Sequence, residues 1–141
     1  MNLIKSFEKA FQRKAERGWE RIYVFVDIHD TIFASDYGEG KNFQYYVNAK
    51  ECLQLLTKRR DVCLVLYTSS YPADIANYLD VFKDGDIMFE LVGGNTFEKN
   101  TKYACFDVKP YFNVLIDDKA GFIPEEDWGD LYEYLQYDKK L

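Results

Sequence analysis

Two apolar runs that each end in carboxylates constrain this chain most. Tyr23-Val24-Phe25-Val26 is followed at once by Asp27 and the polar turn Ile28-His29-Asp30-Thr31, and far downstream Asn113-Val114-Leu115-Ile116 is followed by Asp117-Asp118. β-Prone runs without polar alternation read as strands covered on both faces, the habit of parallel sheets. Such sheets bind ligands beyond the carboxyl ends of their strands, so both runs deliver charged oxygens to the edge where ligands sit. Carboxylates gathered there, with Lys109 just ahead of the second run, suggest a magnesium site built to handle phosphate.

The remaining elements fit around these strands. Leu3, Ile4, Phe7, Ala10, Phe11 and Ala15 recur at helical spacing, and Gly18 is placed to stop that helix, so residues 1–18 form an amino-terminal helix. Residues 33–43, with Gly38 and Gly40 among polar neighbours, are too few for a cap domain and enough for a hairpin flap. A second helix is expected over 45–59 with Val47, Cys52, Leu55 and Leu56 inward, then a buried strand over 62–67 ending at Thr68-Ser69-Ser70. Pro72 opens a helix to about Val81 with Ile75, Tyr78 and Leu79 inward, Phe89-Glu90-Leu91-Val92 reads as a short strand stopped by Gly93-Gly94, and residues 125–141 form a final helix. Strands alternating with helices predict an α/β fold: one Rossmann-like, three-layer domain over 1–141 with a mostly parallel sheet and helices on both faces.

Composition narrows the function classes. A chain of 141 residues supports one core and not two. The net charge of −6 argues against a nucleic-acid duplex as partner, and the basic residues Lys5, Lys9, Arg13, Lys14 and Arg17 read as a solvated helix face. No apolar run approaches the roughly 20 residues that span a membrane, and the amino terminus lacks a signal-peptide core, so a cytoplasmic location is expected. Cys52, Cys63 and Cys105 have no ligand spacing and are expected as buried free thiols. Trp128, Tyr132 and Tyr134 are expected as core or helix-packing residues rather than a stacking platform.

The chemistry lies in an ordered set: Asp27 after the first strand, Thr68 after the next, Lys109, then Asp117 and Asp118. A carboxylate can attack phosphorus and divide one hard displacement into two easier ones. Hard oxygen ligands hold magnesium, and a hydroxyl and an ammonium neutralise the phosphoryl oxygens the metal does not reach. Lys102 and Lys119 compete with Lys109 for that ammonium role, and motif spacing favours Lys109.

From about Ile22 to Phe122 the sequence resembles the haloacid dehalogenase-like superfamily, dominated by magnesium-dependent phosphatases. Asp27-Ile28-His29-Asp30-Thr31 resembles its first motif, normally Asp-x-Asp-Gly-Thr; Leu66-Tyr67-Thr68 resembles its second; Lys109-Pro110 and Asn113 to Asp118 are similar to its close-set third and fourth. The resemblance implies a magnesium-dependent phosphomonoester hydrolase with Asp27 as nucleophile, and Thr31, Thr68, Ser69 and Lys109 around the phosphate. It implies a metal held by Asp27, the main-chain carbonyl of His29 and the Asp117-Asp118 pair, with Asp117 also anchoring Lys109. The absence of a large cap is similar to the capless members, whose open sites admit large or small phosphoesters; the flap, Tyr37 and Tyr71 would then select the leaving group. Two positions depart from the pattern. His29 stands where the family's acid–base aspartate belongs, and Asp30 replaces a glycine. Histidine titrates near neutrality and can serve as both acid and base, while the alternative is a member that binds metal and phosphate and has lost turnover. A receiver-like domain also uses an aspartyl-phosphate, but there the acid pair follows the first strand, whereas here it comes last.

Overall fold

A computed structural model describes residues 2–34, 43–94 and 96–137. Four parallel strands, β1 (Ile22–Val26), β2 (Val62–Leu66), β3 (Leu91–Val92) and β4 (Val114–Ile116), lie in the order β3-β2-β1-β4. The helices are α1 (Leu3–Arg17), α2 (Ala49–Lys58), α3 (Pro72–Asp84) and α4 (Pro124–Tyr137). The arrangement is the α/β, Rossmann-like one expected, with β1 central. Val24 pairs with Leu64 on one side and Val114 on the other, which sets the ends of β1 and β4 side by side. Among the described residues no helix is long and apolar enough to cross a membrane.

Caps explain where α1 starts and stops. The Asn2 side chain accepts the Lys5 N–H, and Gly18 ends the helix at φ 69°, a left-handed conformation that glycine adopts without strain. Elsewhere the boundaries differ from expectation. The second helix starts at Ala49, not near residue 45, because Asn48 is left-handed at φ 70° and Tyr45 is bridged to Phe33 instead. Val47, expected inward, is therefore 82% exposed. The third helix runs past Val81 to Asp84, and the strand expected from Phe89 is reduced to Leu91–Val92. Residues 35–42 of the expected flap, Tyr37 among them, lie outside the described residues, as do 138–141 of the final helix; the flap's described bases, Phe33 and Phe43, pack edge to face at 6.0 Å.

The two faces of the sheet are covered differently. Ile22, Val24, Val26, Leu64, Leu66 and Ile116 share one core with buried residues from all four helices. On the other face Tyr23, Phe25, Cys63 and Val65 form a smaller core, closed by Tyr111 and Phe112 from the connection between β3 and β4. The third layer on that side is thus connecting chain and not helix. Local side chains explain why: Asn100 accepts the Phe106 N–H and Thr101 accepts those of Tyr103 and Ala104, so turns satisfy backbone donors that a helix would otherwise claim. Cys105 sits in this connection and is exposed, contrary to the expectation for all three thiols, whereas Cys52 and Cys63 are buried.

Trp128 locks α4 to the loop after β1. Its ring is fully buried, its indole N–H donates to the Thr31 carbonyl at 2.7 Å, and its own carbonyl accepts the Cys52 thiol at 3.2 Å. Tyr132 and Tyr134 pack against the same core as half-buried rings. Trp128→Ala should cost about 3–5 kcal/mol through the cavity it leaves. Trp128→Phe should cost about 1–3 kcal/mol because the Thr31 carbonyl loses its donor inside the protein. Urea denaturation midpoints check both, and an unchanged midpoint for Trp128→Phe would contradict the importance of that bond.

Candidate metal centre

The ladder carries the site. Beyond the strands proper, the Asp27 N–H donates to the Ile116 carbonyl and the Tyr67 N–H to the Val26 carbonyl, both at 2.9 Å, so the residues following β1, β2 and β4 leave the sheet in register. Asp27, Asp117 and Asp118 each offer one carboxylate oxygen, and the three oxygens lie within 4.8 Å of one another. All three side chains are half-buried. An oxygen-only set at this spacing suits a hard cation such as magnesium, with water completing the shell, and offers neither thiolate nor imidazole to a softer metal.

Thr31 organises the cluster. Fully buried, its hydroxyl lies 3.1 Å from Asp27 Oδ2 and 3.2 Å from Asp118 Oδ1, and accepts the Asp118 N–H at 3.1 Å. One hydroxyl has one proton, so the two carboxylates compete for it and one remains without that donor. Asp117 turns its Oδ1 to the Lys119 N–H at 2.9 Å and caps the short 3-10 turn Asp118–Ala120. Burial, reinforced by the charges of Asp117 and Asp118, pushes the Asp27 carboxyl from its ordinary 3.8 to about 6, against the opposing Ile28 N–H and Thr31 hydroxyl. Asp117 is likewise raised, by burial first.

A cavity of about 310 Å³ opens at this edge, lined by Asp27, Tyr67, Thr68, Ser69, Asp117 and Lys119. Its cation is Lys119. Lys109, favoured by spacing, precedes β4 in the chain and lines a separate cavity with Cys105, Pro110 and Phe112. Asp117 accordingly makes its backbone contact with Lys119, not the anchoring contact expected with Lys109. The exposed His29 ring is not among the residues lining the acidic cavity; its Nε2 lies 3.3 Å from Ser70 Oγ and 3.4 Å from the Tyr78 hydroxyl. Ser70 Oγ is in turn 2.9 Å from Thr68 Oγ1. Asp30 occupies a left-handed position at φ 58°, a conformation that favours glycine and that aspartate tolerates better than most residues. Tyr71, a candidate for choosing the leaving group, is 80% exposed.

Sequence reasoning missed Ser70 and Tyr78. The first stands in the sequence only as the end of the Thr68-Ser69-Ser70 run after a strand and the second only as an inward helix residue, and no spacing rule ties either to His29.

No protein-family profile and no curated protein matches the chain. Among solved structures it is similar to a conserved protein from Bacteroides thetaiotaomicron at a TM-score of 0.63, with 22% identity over 84% of this chain and 93% of that one. At that identity the likeness concerns the fold.

Because Asp27 is raised, the folded protein retains a proton between pH 3.8 and about 6 that the unfolded chain has released. Its contribution to stability therefore falls as pH rises through that interval, and the site is most strained when all three carboxylates are charged. Asp27→Asn should raise the melting temperature of the metal-free protein at neutral pH and flatten this pH dependence. Magnesium should raise the wild-type melting temperature at neutral pH and do so much less in the variant. A magnesium titration followed by circular dichroism tests this, and equal shifts in both proteins would remove Asp27 from the metal's ligands.

Proposed function

We propose that this chain is a magnesium-dependent phosphomonoester hydrolase working through an aspartyl-phosphate, a reading in keeping with its resemblance to the haloacid dehalogenase-like superfamily and with a cytoplasmic enzyme acting on a soluble phosphoester. One observation carries it. Asp27 and Asp117 line one cavity with Thr68, Ser69 and Lys119 at the carboxyl edge of a parallel sheet, and Asp118 brings a third carboxylate oxygen within 4.8 Å of theirs. Asp27, Asp117, Asp118 and the carbonyl of His29 would hold the metal, which draws charge from the phosphoryl oxygens when bound. Thr68, Ser69 and the Lys119 ammonium hold the remaining oxygens. Asp27 attacks phosphorus, the bond to the leaving oxygen breaks as the new P–O bond forms, and water then cleaves the acyl phosphate and restores the carboxylate. The left-handed backbone at Asp30 supports the likeness, because the family's motif has glycine there.

A second reading, a member that binds metal and phosphate without turnover, is favoured by His29. Its ring rests on Ser70 and Tyr78 and does not line the acidic cavity. Both readings share the site and differ in the proton transfers.

Hydrolysis of an activated aryl phosphate with magnesium present is the direct test. Asp27→Asn should lower turnover by orders of magnitude while keeping the fold, and Lys119→Ala should raise KM and lower kcat more than Lys109→Ala does. Retained turnover in Asp27→Asn would refute the nucleophile.

His29 decides between the readings. If it protonates the leaving oxygen, His29→Ala slows poor leaving groups far more than activated aryl phosphates, which need little proton assistance. Equal loss on both would indicate a positioning role. Turnover absent from the wild type and created by His29→Asp would establish the binding reading.

A further inference from the structure

At the opposite end of the sheet lies a larger cavity, of about 560 Å³, within the size range of small-molecule sites. Four of its lining residues are aromatic: Trp19, Tyr23, Phe97 and Tyr111. The ring of Tyr111 stands edge-on to Trp19, at 6.5 Å and 77°, and to Tyr23, at 5.7 Å and 90°, so adjacent walls meet near right angles as in a box. Tyr23 precedes Asp27 by four residues of extended chain, about 13 Å, which separates this cavity from the acidic one.

Charge selects the kind of ligand. The wall also carries Glu20 and Glu98, both exposed at its rim, and Arg21. The guanidinium is already committed: Arg21 Nη1 donates to Glu90 at 2.6 and 2.7 Å, and this hydrogen bond raises its pKa further. With Arg17 beside Trp19 counted as well, Glu20, Glu90 and Glu98 still outnumber Arg17 and Arg21, so an anion would meet net negative charge. Tyr23 stays a neutral phenol, since burial and the Glu98 charge push it up to about 12. Rings in this region already accept cations, with the Arg17 guanidinium 5.6 Å from the Trp19 ring and Arg21 5.7 Å from that of Phe97. Phe97 is nonetheless 58% exposed, a ring at the lip with surface left to cover.

We propose that this cavity binds an organic cation, specifically an alkylated ammonium group. Aromatic walls attract such a cation through their ring quadrupoles and require no hydrogen bond from it. Carboxylates at the rim draw it in while keeping their own hydration. A primary ammonium fits less well, because the box offers ring faces in place of the acceptors its three donors demand.

The test uses choline and its uncharged isostere 3,3-dimethyl-1-butanol on the full chain, with sodium chloride matching ionic strength. The protein has two tryptophans, and Trp128 is fully buried, so a change in tryptophan fluorescence reports Trp19. Choline should bind about tenfold more tightly than the isostere, the discrimination expected of a partly desolvated cation on aromatic rings. Calorimetry should show binding weakened in Glu98→Gln, an exposed substitution that leaves the core intact, and abolished in Tyr111→Ala. Circular dichroism and the magnesium response check that each variant is folded. Equal affinity for the two probes would make this an apolar pocket only, and binding of neither, or full binding by Glu98→Gln, would equally overturn the proposal.

Discussion

The side-by-side exit of β1 and β4 from the sheet is the constraint on which the rest depends. Once Val26 and Ile116 are paired, Asp27, Asp117 and Asp118 emerge at one edge, and the Thr31 hydroxyl between Asp27 and Asp118 can satisfy only one of that pair at a time. The fold accepts this cost because the hydrophobic pairing of two buried strands is worth more than the repulsion of two half-buried charges. The surroundings hold the arrangement from behind: Trp128 grips the Thr31 carbonyl, and the Asp118 N–H grips its hydroxyl. The cluster is thus held both by the hydrogen bonds among its own members and by Trp128, which lies behind it in the core.

The sheet divides the labour between its faces. All four helices contribute to one core, which carries most of the large buried side chains, while the other face is closed by a connection whose turns are stitched by Asn100 and Thr101. The helical side gives the stability that a strained site consumes. The connection side supplies Tyr111, which both packs against the smaller core and lines the aromatic cavity. One residue thus joins packing to the surface, a frequent arrangement where loops over a sheet carry recognition.

The strands and the acidic trio were legible in the sequence because a run of β-prone residues ending in aspartate fixes both the element and the edge on which the charge emerges. Local stops such as Gly18 and Pro72 were legible for the same reason: their backbone preferences act without tertiary context. What the sequence could not convey was anything that depended on which way a connection turns. Lys109 and Lys119 both flank the last strand, but only Lys119 follows it, and spacing weighed more than position in choosing Lys109. The same limit applies to His29, whose ring meets Ser70 and Tyr78 across 41 and 49 residues of chain. Helix α2 was drawn too long because apolar periodicity extends through Val47, whereas a left-handed Asn48 overrides it.

The order of the strands along the chain has a further consequence. Thr31 and Asp118 are 87 residues apart in sequence, and two of the three carboxylates arrive on the last strand. During synthesis β1 and Asp27 emerge well before Asp117 and Asp118, so the carboxylates cannot repel one another until the last strand has been made. The repulsion appears only when β4, three residues long and at the edge, slides into place. A cation available at that moment would act as a latch on this short edge strand, making the completion of folding and the assembly of the site one event.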